Sequence, residues 1–394
     1  MKLINENVGF QMRELRIIFS AISVSLFFSC GQINSNLNQK SNILIDTVSI
    51  VKKKADSIRK DSLISIIGVG DIMLGSNYPS SASLPPDDGM YLLDSVKDLL
   101  GSADVTFGNL EGTFLNSGGK PKRCNTPDHC VCFRMPEHYA EYLKNAGFDV
   151  VSTANNHSND MGEEGRLSTM VTLDRYSIKY AGYSNYPVTV FEINGIKYGF
   201  TAFAPNTETQ NINDIQNARN IVSELKKQCN ILIVSFHGGA EGYSAQRVLR
   251  RHEIFLGEDR GNVYEFAHEV IDAGADIVFG HGPHVPRAME LYKDKIIAYS
   301  LGNFCTYGKF SLSGPQGIAP LLKVYIDTNG NFIKGNIYSF KQINRGFPVP
   351  DYETNAVKII KELTEKDFPE TPLTINENGY IENTNLNLTT ERKF

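Results

Sequence analysis

The chain has 394 residues, 41% of them hydrophobic and 21% charged, with 33 glycines and no tryptophan, a profile that excludes a disordered, collagenous or repeat-built chain. Its 39 Lys and Arg against 44 Asp and Glu leave a net charge of −5, without the basic excess of a duplex-binding surface, so nucleic acid is not an expected partner. At roughly 100–200 residues per domain, the length suits two domains or one large α/β unit.

Residues 1–29 read as a signal peptide. Met12-Arg13-Glu14-Leu15-Arg16 is a short basic stretch, and Ile17 to Phe28 follows as twelve residues without charge. That run is shorter than the ~20 residues a membrane span needs but suits the apolar core of a signal. Met12 could itself be the start, since residues 1–11 add nothing a signal needs. The run ends at Phe27-Phe28-Ser29-Cys30-Gly31, which resembles a bacterial lipoprotein lipobox with Cys30 as the acylated first residue; Phe27 stands where Leu is usual, and a plain cleaved signal is the alternative. Residues 30–62 read as the lipidated Cys and a tether, since Ser35 to Lys60 is rich in Asn, Ser and Lys. The expected location is therefore the cell envelope, outside the cytoplasm, with the membrane reached through the lipid anchor. There, Cys124, Cys130 and Cys132 could hold one disulfide or sit in a plain loop. Their C-x5-C-x-C spacing, even with His129, matches no structural zinc pattern.

From residue 63 short apolar runs alternate with helical stretches. Strands are expected at 63–69, 104–107 and 149–153, with a helix at 136–146 stopped by Gly147 and another at 163–176. Residues 188–193 and 197–203 form a hairpin-like pair around Asn194-Gly195. A helix at 213–228 leads into the strand 231–236, and a helix at 263–273 into the strand 276–279. A strand at 296–300 and a hairpin over 321–338 around Asn329-Gly330 follow, then a closing helix near 356–366 and a terminal strand. The alternation implies a largely parallel sheet covered on both faces. The folded domain is expected to span 63–345, with 346–394 an extension packing on it.

The polar residues of interest stand directly after these strands: Gly70-Asp71, then Gly108-Asn109-Leu110-Glu111, then Asn155-Asn156-His157 with Asp160. His237-Gly238-Gly239-Ala240-Glu241 and Gly280-His281-Gly282-Pro283-His284 complete the set. In open α/β sheets the carboxyl ends of the strands gather in one crevice, and acidic, Asn and His groups converging there are a divalent-metal ligand set. Taken singly, each motif has a structural reading: Gly-Asp as a turn, Asn156 as a helix cap, His237 as a hydrogen-bonded histidine. Five such strand ends in one chain favour the metal site.

Gly70-Asp71, Asn109-Leu110-Glu111, Ala154-Asn155-Asn156-His157, His237-x-Gly-x-Glu241, Gly280-His281-x-Pro-His284 and Ser300-Leu301-Gly302-Asn303-Phe304 follow one another as in CapA-type capsule (poly-γ-glutamate) synthesis proteins. The chain resembles that family over residues 63–305, and the family resembles a branch of the calcineurin-like metallophosphoesterases. The resemblance implies an α/β fold of two packed β-sheets flanked by helices, a four-layer sandwich, holding one or two divalent ions (Mn, Fe or Zn). Position by position, it implies Asp71 and His284 on one metal, Asn156, His237 and His281 on the other, and Glu111 bridging in preference to Asn109. His157 would be the general acid, oriented by Asp160. Glu241 would be a further ligand or a partner of His237, and Asn303 would line the crevice.

Two positions depart from the superfamily pattern. Met73 stands where a histidine ligand is usual, a poor donor for hard ions, and Pro283 is inserted between His281 and His284. A single-metal site, or one filled only with substrate, is therefore also expected. Arg247, Arg250, Arg251, Arg260 and Arg287 could meet an anionic substrate, Arg287 being the best placed; a solvated helix face is the alternative. Ser300 lacks the setting of a nucleophile, and Gly302-Asn303 reads as a packing and turn element. Together these residues suggest an envelope lipoprotein acting in synthesis or export of an anionic polymer, with a membrane polymer synthase complex as partner, and hydrolysing a bond with a metal-bound hydroxide. The rivals are an extracytoplasmic phosphatase or phosphodiesterase acting on a phosphate-containing substrate, and a non-catalytic polymer-binding assembly subunit.

Overall fold

The computed structural model describes residues 63–123 and 131–386. The signal peptide, Cys30, the tether, Cys124, His129 and Cys130 lie outside the described residues. Cys132 carries a free, buried thiol.

Two mixed sheets pack face to face. The first runs in the order Leu373–Ile375, Tyr380–Asn383, Phe332–Ile343, Ile318–Ile326, Ile64–Met73, Val105–Leu110, Val150–Ser152, Lys179–Ala181, with Asn303–Thr306 beside the end of Ile64–Met73 and Phe347–Pro350 beside Phe332–Ile343. The second runs Met289–Tyr292, Lys295–Ala298, Ile277–His281, Ile231–His237, Ile196–Phe203, Val188–Ile193. The first is parallel from Ile64–Met73 to its edge strand Lys179–Ala181 and antiparallel on the other side. The second has a parallel centre with an antiparallel strand at each edge. Together they correct the expectation of a largely parallel sheet. The reversals at Asn194-Gly195 and Asn329-Gly330 turn the chain straight back, and a direct reversal can add only an antiparallel neighbour.

Alternation along each strand divides its side chains between two cores. Ile64 and Ile66 join Phe107, Phe200, Ile231, Ile233 and Phe279 between the sheets. Ile67 and Val69 pack outward with Leu143 of the helix Tyr139–Asn145 and Leu173 of the helix Gly162–Arg175. On the second sheet Leu232 and Val234 pack outward with Val222 of the helix Ile215–Lys226 and Phe266 of the helix Val263–Asp272. The result is the expected helix–sheet–sheet–helix layering. Phe107 and Phe279 stack between the sheets at 5.3 Å, and Gly68 leaves room for that approach, since a Cβ there would meet the Phe279 ring at 2.7 Å. The helix Asn355–Asp367 adds Ala356, Val357 and Ile360 to the inter-sheet core.

The first strand outruns its expected end at Val69 and continues to Met73. Asp71 N donates to Gly302 O at 2.8 Å, so pairing with the Asn303–Thr306 strand carries the extended backbone past Gly70. That contact needs glycine: a Cβ on Gly70 would stand 2.0 Å from Gly302 O.

Candidate metal centre

Asp71 lies in register with Asn109 on one neighbouring strand and Asn303 on the other. His237 and His281 end adjacent parallel strands of the second sheet, also in register. The carboxyl ends of the parallel strands of both sheets thus open onto one place, and Glu111, His157 and His284 reach it from the loops that follow, with Asn156 in the cleft lining beside them.

Asp71 is fully buried and organises one side. Asn109 Nδ2 donates to its Oδ1 at 2.9 Å, His281 Nδ1 lies 3.3 Å from the same oxygen, and His284 Nδ1 lies 2.8 Å from Oδ2. His284 Nδ1 is also 3.1 Å from Asn303 Oδ1. Pro283 does not separate the two histidines; a φ of 57° at His284 turns its ring back onto the carboxylate that His281 also meets. The Asn109 amide is spent on Asp71 and on accepting from Asn155 Nδ2 at 3.0 Å. Glu111, by contrast, has two buried carboxylate oxygens without a hydrogen-bond partner among the described residues.

The charges follow this geometry. Burial alone would raise the Asp71 carboxyl, but the hydrogen bonds and charges of His281 and His284 pull it far below the carboxylate range. Burial, reinforced by the Asp71 charge, pushes Glu111 well above its ordinary value. His284 is pushed up to about 10: burial opposes the charge, but Glu111 and Asp71 outweigh it. His237 is held well below the histidine range by burial, against the pull of Asp71.

One ligand atom each from Glu111, His237 and His284 lies within 4.8 Å of the others. Besides both Glu111 oxygens, Asn156 Oδ1, His237 Nε2 and His281 Nε2 are buried without a hydrogen-bond partner among the described residues, while His281 Nδ1 meets Asp71 Oδ1 at 3.3 Å. Unpartnered buried polar atoms are costly, and carboxylate, amide and imidazole together form a donor set for divalent metals. The residues present fit such an ion.

His157 stands beside this cluster with Nδ1 2.7 Å from Asp160 Oδ2 and Nε2 3.8 Å from Glu111 Oε1. Its ring stacks on Phe133 at 4.0 Å. Burial and the Lys122 charge hold it below the usual histidine range, against Asp160. Glu241 reaches the edge, with Oε2 3.9 Å from His284 Nε2 and Oε1 3.2 Å from Arg260 Nη1. A cleft of about 910 Å³ opens over His157 and His284, with Lys122, Phe133, Arg260 and Phe310 in its walls.

Arg287 does not face this cleft, a correction to its expected contact with substrate. It is fully buried, and its guanidinium binds Glu253 through two hydrogen bonds, at 2.9 and 2.7 Å, and the Ala245 carbonyl at 2.7 Å. A buried guanidinium needs a carboxylate, and Glu253 supplies it. Arg247 and Arg250 are likewise engaged, with Asp367 and Glu370; of the arginines considered, Arg260 lines the cleft. Met73 packs in the outer core, its sulfur accepting from Gly75 N at 3.3 Å, and adds nothing to the centre. Ser300 Oγ donates to Val285 O at 2.7 Å within its turn. Lys122 and Phe133 escaped the sequence reading because neither sits in a motif; the fold brings them to His157 from a loop.

The model of the bacterial capsule synthesis protein family PGA_cap matches residues 65–307. The capsule biosynthesis protein CapA of Bacillus anthracis is 28% identical over 265 residues, 62% of this chain and 60% of that protein. The PGA biosynthesis protein CapA of Bacillus subtilis (strain 168) is 28% identical over 260 residues, 62% of this chain and 63% of that protein. The chain thus spans about six tenths of the length of these curated relatives. Among solved structures, a 5'-nucleotidase precursor from Thermus thermophilus is 12% identical, covering 76% of this chain and 59% of that one with a TM-score of 0.41. The family match takes in more than half of the chain and every residue of the centre from Asp71 to Asn303, and the chain therefore belongs to the bacterial capsule synthesis protein family PGA_cap.

Proposed function

We propose that this protein is a metal-dependent hydrolase that acts on an anionic surface polymer of the poly-γ-glutamate type during its synthesis or export, held at the cell envelope by a lipid on Cys30. The hydrolase reading is carried by Glu111, His237 and His284, one ligand atom of each lying within 4.8 Å of the others, beside the Asp71 carboxylate that His284 and His281 meet at 2.8 and 3.3 Å. The polymer comes from family membership and from the relatives' names, capsule biosynthesis and PGA biosynthesis.

Asp71 and His284 would hold one ion, Asn156, His237 and His281 a second, and Glu111 both. Divalent ions bound there would acidify a water and polarise the bond to be cut. The proton work falls to His157. Asp160 fixes its Nδ1, leaving Nε2, the nitrogen turned toward Glu111, to take a proton from the attacking water and return it to the leaving group. Arg123 and Lys309 around the cleft suit an anionic chain. The inert setting of Met73 favours a second reading, a polymer-binding assembly subunit with a reduced site.

Elemental analysis of the purified full chain separates these readings. About two equivalents of Mn, Fe or Zn, lost in the His237→Ala/His284→Ala variant, are expected. With metal present, turnover of a γ-glutamyl oligomer or of bis(p-nitrophenyl) phosphate identifies the bond cut, and His157→Asn should keep its metal while losing about 10²-fold in rate or more. No metal after incubation with Mn²⁺ or Zn²⁺ would transfer the conclusion to the assembly subunit.

A further inference from the structure

The turn that carries His157 is tied together from a distant segment. Residues 120–122 run back along it, with Lys120 N donating to Met161 O at 3.1 Å and Lys122 N to Asp160 O at 2.9 Å. The Lys122 ammonium then pairs with Asp160 Oδ1 at 2.6 Å and donates to the Asn156 carbonyl at 2.9 Å. The other Asp160 oxygen receives His157 Nδ1 at 2.7 Å and Phe133 N at 2.5 Å. Asp160 is fully buried, whereas the Lys122 side chain keeps 21% of its surface exposed in the cleft wall. A buried carboxylate needs a counter-charge, and the ammonium brings one from the solvent side without occupying the imidazole. Lys122 Nζ also lies 3.4 Å from His157 Nδ1, but that nitrogen cannot accept from lysine while its proton goes to Asp160. The ammonium is therefore committed to Asp160 and to the Asn156 carbonyl.

We propose that Lys122 is a positioning residue: by gripping Asp160 and the Asn156 carbonyl together, it keeps the His157 ring with Nδ1 on Asp160 and Nε2 turned to the metal centre. Its consequence for rate rests on the hydrolase reading; its consequence for the ring does not. Partners that orient a functional side chain typically cost 10–100-fold when removed.

The test uses the full chain, labelled with ¹⁵N-histidine and supplied with Zn²⁺, as wild type, Lys122→Met, Lys122→Gln and Lys122→Arg, with His157→Asn to assign the ring. Wild type and Lys122→Arg should show His157 with its proton fixed on Nδ1. Lys122→Met and Lys122→Gln should show it averaged between the two nitrogens, while His268, bonded to Glu290 at 2.9 Å, keeps its pattern as the fold control. An unchanged His157 pattern in either neutral variant that keeps the His268 signal overturns the proposal. Where wild type hydrolyses a substrate, Lys122→Met should lower kcat about 10–100-fold at constant metal content and KM, with most of the loss recovered in Lys122→Arg. A rise in KM at constant kcat would make Lys122 a substrate contact and overturn its positioning role. A wild type without turnover counts against the hydrolase reading and leaves the ring measurement to decide the fate of Lys122.

Discussion

Glu111 and Arg287 are both buried and ionisable, and they meet opposite fates. The oxygens of Glu111 lack a hydrogen-bond partner among the described residues, and burial raises its carboxyl. The folded, metal-free protein therefore binds a proton that the unfolded chain releases above about pH 4, and its stability falls as pH rises from there. Glu111→Gln should remove that dependence in urea unfolding followed across pH, while abolishing the stabilisation that added metal gives. A residue that weakens the fold yet collects metal is the signature of a binding site rather than of packing. Arg287 is held by Glu253 and by the main-chain carbonyls of Ala245 and Ala240. Arg287→Met strands the Glu253 carboxylate and should cost about 3–5 kcal/mol, and the paired change with Glu253→Met should recover much of that loss in the same measurement.

At the scale of elements, the helix Asn355–Asp367 shows how a local signal sets a boundary. Its N-terminal flank, Thr354, has a φ of 55° and makes no side-chain cap. Asp351 serves instead, accepting from Asn355 N at 2.9 Å and from Ser339 Oγ at 3.2 Å. Burial alone would raise its carboxyl, but these hydrogen bonds hold it below the usual range. The contribution is therefore complete above about pH 4 and lost as pH falls through the depressed value. Asp351→Ala should cost about 1 kcal/mol at pH 7, and the gap to wild type should close in acid unfolding curves. The first strand makes the complementary point. Its apolar run ends at Val69, but its pairing does not, because the Gly302 carbonyl receives Asp71 N and holds Asp71 in line with Asn109 and Asn303.

On the scale of the whole molecule, the centre is shared between sheets. Asp71, Glu111 and Asn156 belong to the first sheet and its loops, and His237, His281 and His284 to the second. A ligand held by both halves stabilises their packing by mass action, about 2.7 kcal/mol at a free concentration of 100 Kd. A chelator should thus lower Tm by roughly 5 °C or more, with no such shift in His237→Ala/His284→Ala.

The sequence by itself determined the longer helices and strands and the ligand candidates, but not the short strands Lys179–Ala181, Met289–Tyr292, Asn303–Thr306 and Phe347–Pro350, which exist by pairing with their neighbours. Period-two and helical apolar patterns, Gly stops and Asn-Gly reversals act over a few residues, so they are legible in order along the chain. Strand ends followed by Asp, Asn and His made Asp71, Glu111, Asn156, His237, His281 and His284 visible before any packing was known. Only the tertiary structure decided which polar groups face the cleft and which serve the fold. Arg287 stands three residues after His284 yet turns away to Glu253, and Lys122, in no motif, turns in to Asp160. The physical reason is that a charged side chain answers to the nearest available counter-charge, and that distance is set by contacts between residues 34 to 38 positions apart here, which no local pattern encodes.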